Sequence, residues 1–321
     1  MKTYHLFGGV LASDIEFPEL AVAAQDGEPS WVLQSHAPTP SDEEHGQLLG
    51  TDVVTPNANV TLYRCGEGFR LVFDDTGCFE ITGDARHIRW HAPEDARLAD
   101  VRADVTGRVL AAALHLTGTL SLHASAVVIE GVAIGLVAPK HHGKSTLALA
   151  LVQSGAGLLT DDTLPVQPGS PPMARPGLHA ARLWPDSAAR VGIGEHEPVP
   201  DGHKRLFAAL PDERVEHVPR PLDALYLLAP VKSLDDGAAV RRTRLSSIEG
   251  AMVMIGHAKL APLLAGAAAS ELFQPAAALA DAIPVYRLNV VRDLDRLTEV
   301  VGQIREWHQP EPAAAGFRES A

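Results

Sequence analysis

The spacing of apolar positions changes character along this chain. Between residues 59 and 92 four short runs, NVTLYRCG, FRLVFDD, GCFEITG and RHIRWHA, alternate or are rich in β-branched and aromatic residues. Turns carrying Gly, Asp and Asn separate them, the pattern of an antiparallel sheet. The opening YHLFGGVLA reads as a buried first strand. Its histidine, its two glycines and the acidic SDIEFPEL that follows separate it from a secretory signal. Residues 36–57 are polar and proline-bearing and read as an exposed loop.

After His91 the period lengthens. Leu98, Val101, Val105, Val109, Leu110 and Leu114 recur at helical spacing, and Gly118 is a plausible stop. A boundary near this helix divides the chain into a β-rich region, 1–95, a second domain, 96–308, and an aperiodic tail, 309–321.

In the second domain SLHASAVVI and VAIGLVA read as two strands joined by Glu130 and Gly131, a hairpin. APKHHGKSTLALALVQSGAGLLTDD then reads as a loop, a helix over 144–153 closed by Gly155, and a short strand ending in two acids. Further on, DALYLLAP and PVYRLNVV read as strands. SSIEGAMVMIGHAKL, the alanine-rich 263–280 region and DLDRLTEVVGQIREW read as helices. Such alternation indicates an α/β architecture.

Composition narrows the class. At 46% hydrophobic and 21% charged residues the chain can build a core. A net charge of −13 argues against nucleic-acid and anionic-membrane partners, which select clustered Lys and Arg. No uninterrupted apolar stretch is long enough for a membrane span. With only Cys65 and Cys78, a disulfide framework and a four-cysteine zinc site are excluded. Two reduced thiols in a cytoplasmic protein are expected, one bridge being the alternative.

The chemistry concentrates at Ala138–Ser145, A-P-K-H-H-G-K-S, against the phosphate-loop pattern G-x-x-x-x-G-K-[ST]. A strand leads to a turn whose N–H groups can face phosphate oxygens, and the next helix offers its positive end to the same anion. In that arrangement Ala138, His142, Gly143, Lys144, Ser145 and Thr146 bind nucleotide. Lys144 neutralises phosphate and the Ser145 hydroxyl ligates Mg²⁺. Two departures stand out: Ala138 replaces the first glycine, and Pro139 removes an amide donor. His141 and His142 replace small residues, and read either as solvent-facing or as phosphate contacts whose protonation tunes affinity.

A hairpin directly before such a loop resembles the HPr kinase/phosphorylase family and its relative phosphoenolpyruvate carboxykinase. His123 lies 21 positions before Lys144, and Asp161 and Asp162 lie 17 and 18 after it, the separations of the HPr kinase type. The match covers about residues 122–166. YHLFGGVLASD, LHASAV, RLWPDS and a following HKR resemble a diverged subgroup found with lasso-peptide and related pathways.

The resemblance implies a fold and a catalytic layout. The fold is a phosphate-loop core with a mixed sheet, preceded by the β-rich region. Asp162 would be the general base, Asp161 would sit beside the metal with Ser145, and His123 would bond the Asp pair or the γ-phosphate. Lys204 and Arg205 would supply cations to the transferred group. Along an extended strand the two carboxylates would point in opposite directions. The family's second signature, Arg-Gly-Leu-Gly with a metal-binding Glu, is absent; ARPGLHAARLWPDS occupies its place and Asp186 is a substitute candidate. HPr itself and phosphorolysis are thus doubtful.

The leading expectation is an ATP- and Mg²⁺-dependent kinase acting on a hydroxyl. A serine of a peptide or protein is the first choice, with a biosynthetic precursor peptide as first guess. A small-molecule kinase and a non-catalytic nucleotide-binding module are the alternatives, with carboxykinase chemistry more distant. A homo-oligomer is left open.

Overall fold

The computed structural model describes residues 1–24, 27–36, 46–139, 142–179, 181–183, 196–198, 205–207, 210 and 212–309; for 181–183, 196–198 and 205–207 only the backbone is described. The expected α/β organisation is mixed: an eight-stranded sheet, a second sheet flanked by helices, and a small three-stranded sheet.

The first sheet comprises β1 (Lys2–Leu6), β2 (Gly9–Ser13), β3 (Trp31–His36), β4 (Gln47–Thr55), β5 (Ala58–Cys65), β6 (Gly68–Phe73), β7 (Gly77–Ile81) and β8 (His87–His91). Its order is β1-β2-β3-β8-β7-β6-β5-β4. The opening run is therefore two strands, bent at Phe7–Gly8, where both residues take positive φ. The expected loop over 36–57 is corrected: β4 occupies nine of its residues. Its alternation is weak because the strand is half-exposed, and Gly50 interrupts it. Residues 37–45 of that segment lie outside the described residues. Cys65 and Cys78 are not joined in a disulfide.

The helical stretch after β8 is α1 (Leu98–Asp104), a π-turn over Val105–Val109, and α2 (Leu110–Leu116). Its apolar face packs under the first sheet, and one continuous core joins Phe69, Leu71 and Trp90 to Val105, Leu110, Leu122 and Leu225. The two parts of the chain thus share a core.

The second sheet opens with β9 (Leu120–Leu122), β10 (Ala124–Ile129) and β11 (Val132–Val137). The β10–β11 hairpin turns at Glu130 and Gly131, both at positive φ (48° and 83°), which suits the right-handed twist of the strands. After α3 (Lys144–Gln153) come β12 (Gly157–Thr160), β13 (Leu164–Gln167) and β14 (Met173–Ala174). The small sheet is β15 (Ala181–Leu183), β16 (His196–Pro198) and β17 (Arg205–Phe207). The long β18 (Arg220–Val231) runs parallel to β11 and to β20 (Val285–Val291), with β19 (Val240–Arg244) antiparallel beyond. Between β19 and β20 lie α4 (Ser247–Gly256) and α5 (Phe273–Ala282); α6 (Leu297–Trp307) follows β20.

Side-chain alternation sorts the two faces of this sheet. Val127, Ile129, Ile134, Leu136 and Leu158 meet α3 and α6 through Leu147, Leu151, Val300 and Ile304. Ala124, Ala126, Val128, Ala133 and Val137 face the other layer, with Ala251 and Met254 of α4 and Ala276 and Leu279 of α5. Each such fully buried large aliphatic side chain contributes about 1.5–3 kcal/mol. Because helices cover both faces, the β10 and β11 strands read as near-continuous apolar runs, interrupted in β10 by Ser125. Ser246 and Glu249 form a reciprocal capping box at the start of α4.

Candidate functional site

The site lies where β11 ends and α3 begins, beside the end of β12. Gly143, at φ +89°, caps α3 in the left-handed region, a conformation that admits few other residues. The first turn of α3 points its N–H groups and positive end towards the loop. Lys144 is buried, and its Nζ donates to the Ala138 carbonyl oxygen at 2.8 Å, across the loop it follows. Ser145 Oγ donates to both oxygens of Asp161, at 3.0 and 3.1 Å. Thr146 is half-buried in the same turn, and His142 lies exposed in the loop.

Asp161 is buried and just beyond β12. Its backbone N–H donates to the Leu178 carbonyl at 2.9 Å. Ser125 reaches it from β10 and donates a second hydroxyl to Oδ1. Burial pushes the Asp161 carboxyl above its usual range and the Asp162 charge adds to that, while Ser125, Ser145 and Lys144 pull it back.

Asp162 turns the other way. Strand alternation was expected to separate the two carboxylates, but β12 stops at Thr160. A left-handed residue separates them instead: Asp162 sits at φ +73°, and the Thr163 N–H closes on the Asp161 carbonyl at 3.0 Å. Aspartate tolerates this conformation better than most residues. His123 Nδ1 lies 3.2 Å from Asp162 Oδ1, and Lys259 Nζ lies 2.5 Å from Oδ2. Partial desolvation pushes the Asp162 carboxyl up, but Lys259 and His123 outweigh it and hold it well below the usual carboxylate range.

The elements that deliver these partners meet in a short ladder. The chain leaving α4 pairs antiparallel with β9 through Leu122 and Ala258. The His123 N–H donates to the His257 carbonyl at 2.7 Å, and the Lys259 N–H to the Ser121 carbonyl at 2.8 Å. The His257 ring lies within electrostatic reach of the same cluster: burial pushes it down to about 4, and the charges of Lys144 and His123 add to that.

The structure therefore brings together Ala138, Gly143, Lys144, Ser145, Asp161, Asp162 and His123. Lys204 and Asp186 lie outside the described residues, as does His141, and only the backbone of Arg205 is described, in β17. Sequence reasoning missed Ser125, His257 and Lys259. Ser125 stood within the LHASAV run; no motif marks GHAKL, and only folding carries Lys259 to a partner 97 positions away.

Among the described residues no group of three or more His, Cys, Asp or Glu is close enough to hold a metal ion. The Ser145 hydroxyl and the buried Asp161 carboxylate nonetheless offer adjacent hard oxygen donors. That suits Mg²⁺, which takes few protein ligands and keeps several waters. No helix among the described residues is long and apolar enough to cross a membrane.

No family model and no curated protein matches the chain. Solved structures do match. One is the HPr(Ser) kinase/phosphatase from Coxiella burnetii, 14% identical, covering 58% of this chain and 96% of that one at a TM-score of 0.31. A superposition that loose carries no inference about this chain.

Proposed function

We propose that the protein is a phosphotransferase that uses ATP and Mg²⁺ to phosphorylate a hydroxyl, with a serine of a peptide or protein as the acceptor. One observation carries this reading: two adjacent carboxylates held by different partners on opposite sides of the turn. Asp161 is tied to Ser145 beside the start of α3, while Asp162 faces away, flanked by His123 and Lys259.

In this reading the loop and the N-terminus of α3 receive the phosphates, and Lys144 moves from the Ala138 carbonyl to their oxygens. Ser145 and Asp161 would hold Mg²⁺, which supplies charge neutralisation at the phosphates. Asp162 takes the proton of the acceptor hydroxyl as that oxygen bonds to the γ-phosphorus. The bond from the γ-phosphorus to the bridging oxygen breaks, and ADP leaves with that electron pair. An ionised base suits this step, because phosphoryl transfer rests on positioning and charge neutralisation more than on a strong base.

A second reading, a nucleotide-binding module without turnover, is favoured by Ala138–Pro139 and by the engagement of Lys144 with the loop's own carbonyl. Calorimetric titration of Mg·ATP into wild type and Lys144→Ala separates the outcomes. Binding that disappears in the variant supports the nucleotide site, and no binding to either protein overturns it. Transfer of ³²P to a hydroxyl acceptor, lost in Asp162→Asn, then distinguishes the kinase from the binder.

A further inference from the structure

Lys259 is not a member of the loop, the helix or the aspartate pair, yet it makes the tightest contact at Asp162. Its side chain is only 12% exposed, against 51% for Asp162, so the ammonium is held from the protein side and the carboxylate faces outward. The short ladder fixes both partners of that carboxylate at once. His123 and Lys259 are anchored by the two hydrogen bonds that flank the Leu122–Ala258 pair, and they engage opposite oxygens. Asp162 itself sits on a left-handed turn. Its side chain would rotate if one oxygen lost its partner.

We propose that Lys259 is a positioning residue of this site, holding the Asp162 carboxylate aimed at the acceptor hydroxyl; the inference rests on the phosphotransfer reading. Lys144, the other lysine of the cluster among the described residues, lies instead with its Nζ against the Ala138 carbonyl and acts on Asp161. Lys259 neither gives nor takes a proton in the step. It acts through Asp162 and leaves nucleotide affinity to the loop.

The test uses the full chain and needs no identified acceptor, since water can replace the hydroxyl. Mg·ATP hydrolysis and the Kd for Mg·ATP are measured for wild type, Lys259→Met, Lys259→Arg, Asp162→Asn and the double variant Lys259→Met/Asp162→Asn. Methionine keeps the aliphatic stem and the backbone pairing, so folding is preserved. The expected result is a rate loss on the order of 100-fold in Lys259→Met with Kd within about twofold of wild type. Lys259→Arg should recover most of the rate, and the double variant should be no slower than Asp162→Asn alone.

Three outcomes overturn the inference alone: a Lys259→Met rate near wild type, a loss confined to Kd, or losses that multiply in the double variant. A wild-type protein that does not bind Mg·ATP, or binds it without hydrolysing it, overturns the phosphotransfer reading, and this inference with it.

Discussion

Ser125 on β10 donates its hydroxyl to Asp161 just past the end of β12, so the carboxylate beside the loop is fixed by the neighbouring strand as well as by Ser145. Ser125 is fully buried, and its replacement by alanine leaves a buried carboxylate short of one donor. Ser125→Ala should therefore cost about 1–3 kcal/mol in stability. Urea denaturation at neutral pH reads this directly; a loss below about 0.5 kcal/mol would contradict the role of the bond.

The two aspartates should respond differently to amide substitution. Asp161→Asn removes the charge beside Ser145 and should weaken Mg·ATP binding about tenfold or more. Asp162→Asn should leave that affinity within about threefold while lowering turnover by 100-fold or more. Parallel titrations and rate measurements check the pair, and equal effects of both variants on binding would sink the division of tasks.

Asp104, at the end of α1, gives the clearest pH signature. Burial pushes its carboxyl up to about 7; the Thr76 hydroxyl, which donates to Oδ2 at 2.7 Å, opposes the shift, and Asp75 reinforces it. A raised carboxyl pKa means that the folded state binds the proton more tightly than the unfolded one. This contribution is complete below pH about 4 and is lost as pH rises through about 7. It amounts to at most on the order of 4 kcal/mol across that window. Stability curves of wild type and Asp104→Asn should diverge between those limits, with the flatter slope in Asn. Parallel curves would rule out the shifted carboxyl.

Around Tyr226 a buried network ties the end of α6 to the sheet. The Tyr226 hydroxyl lies 2.8 Å from His308 Nε2 and accepts from Arg242 at 3.2 Å. His308 Nδ1 lies 2.9 Å from Asp223. Burial lowers His308 and raises Tyr226 to about 12, so both are neutral at pH 7. The bonding pattern then assigns Nδ1–H to Asp223 and makes Nε2 the acceptor of the tyrosine proton. Tyr226→Phe should cost about 1–3 kcal/mol and speed hydrogen exchange in α6, checked by thermal melts and exchange rates.

Gly50 links the first sheet to the segment that carries Lys259. A Cβ there would stand 2.6 Å from the Leu263 carbonyl oxygen, and the Ala265 N–H donates to Leu49 at 3.0 Å. Gly50→Val should raise the exchange rate of the Ala265 amide and lower stability. An unchanged amide would show that this contact does not hold the segment.

Much of the local structure was legible in the chain itself. The period-two runs of β5–β8, the Glu130–Gly131 turn and the helix over 144–153 depend on neighbours close in sequence, and their residue types suffice to specify them. The strand–loop–helix with Lys144 and Ser145, and the paired acids at 161 and 162, were visible for the same reason. What needed the tertiary structure was everything set by distant segments. β4 declared itself only through its pairing with β5 and through Gly50 against Leu263, and the left-handed turn at Asp162 decided where the second carboxylate points. The three-residue ladder between β9 and the end of α4 brought Lys259 to Asp162. Sequence spacing encodes which residue types follow one another, whereas such contacts exist only once burial and backbone pairing have closed the chain around them.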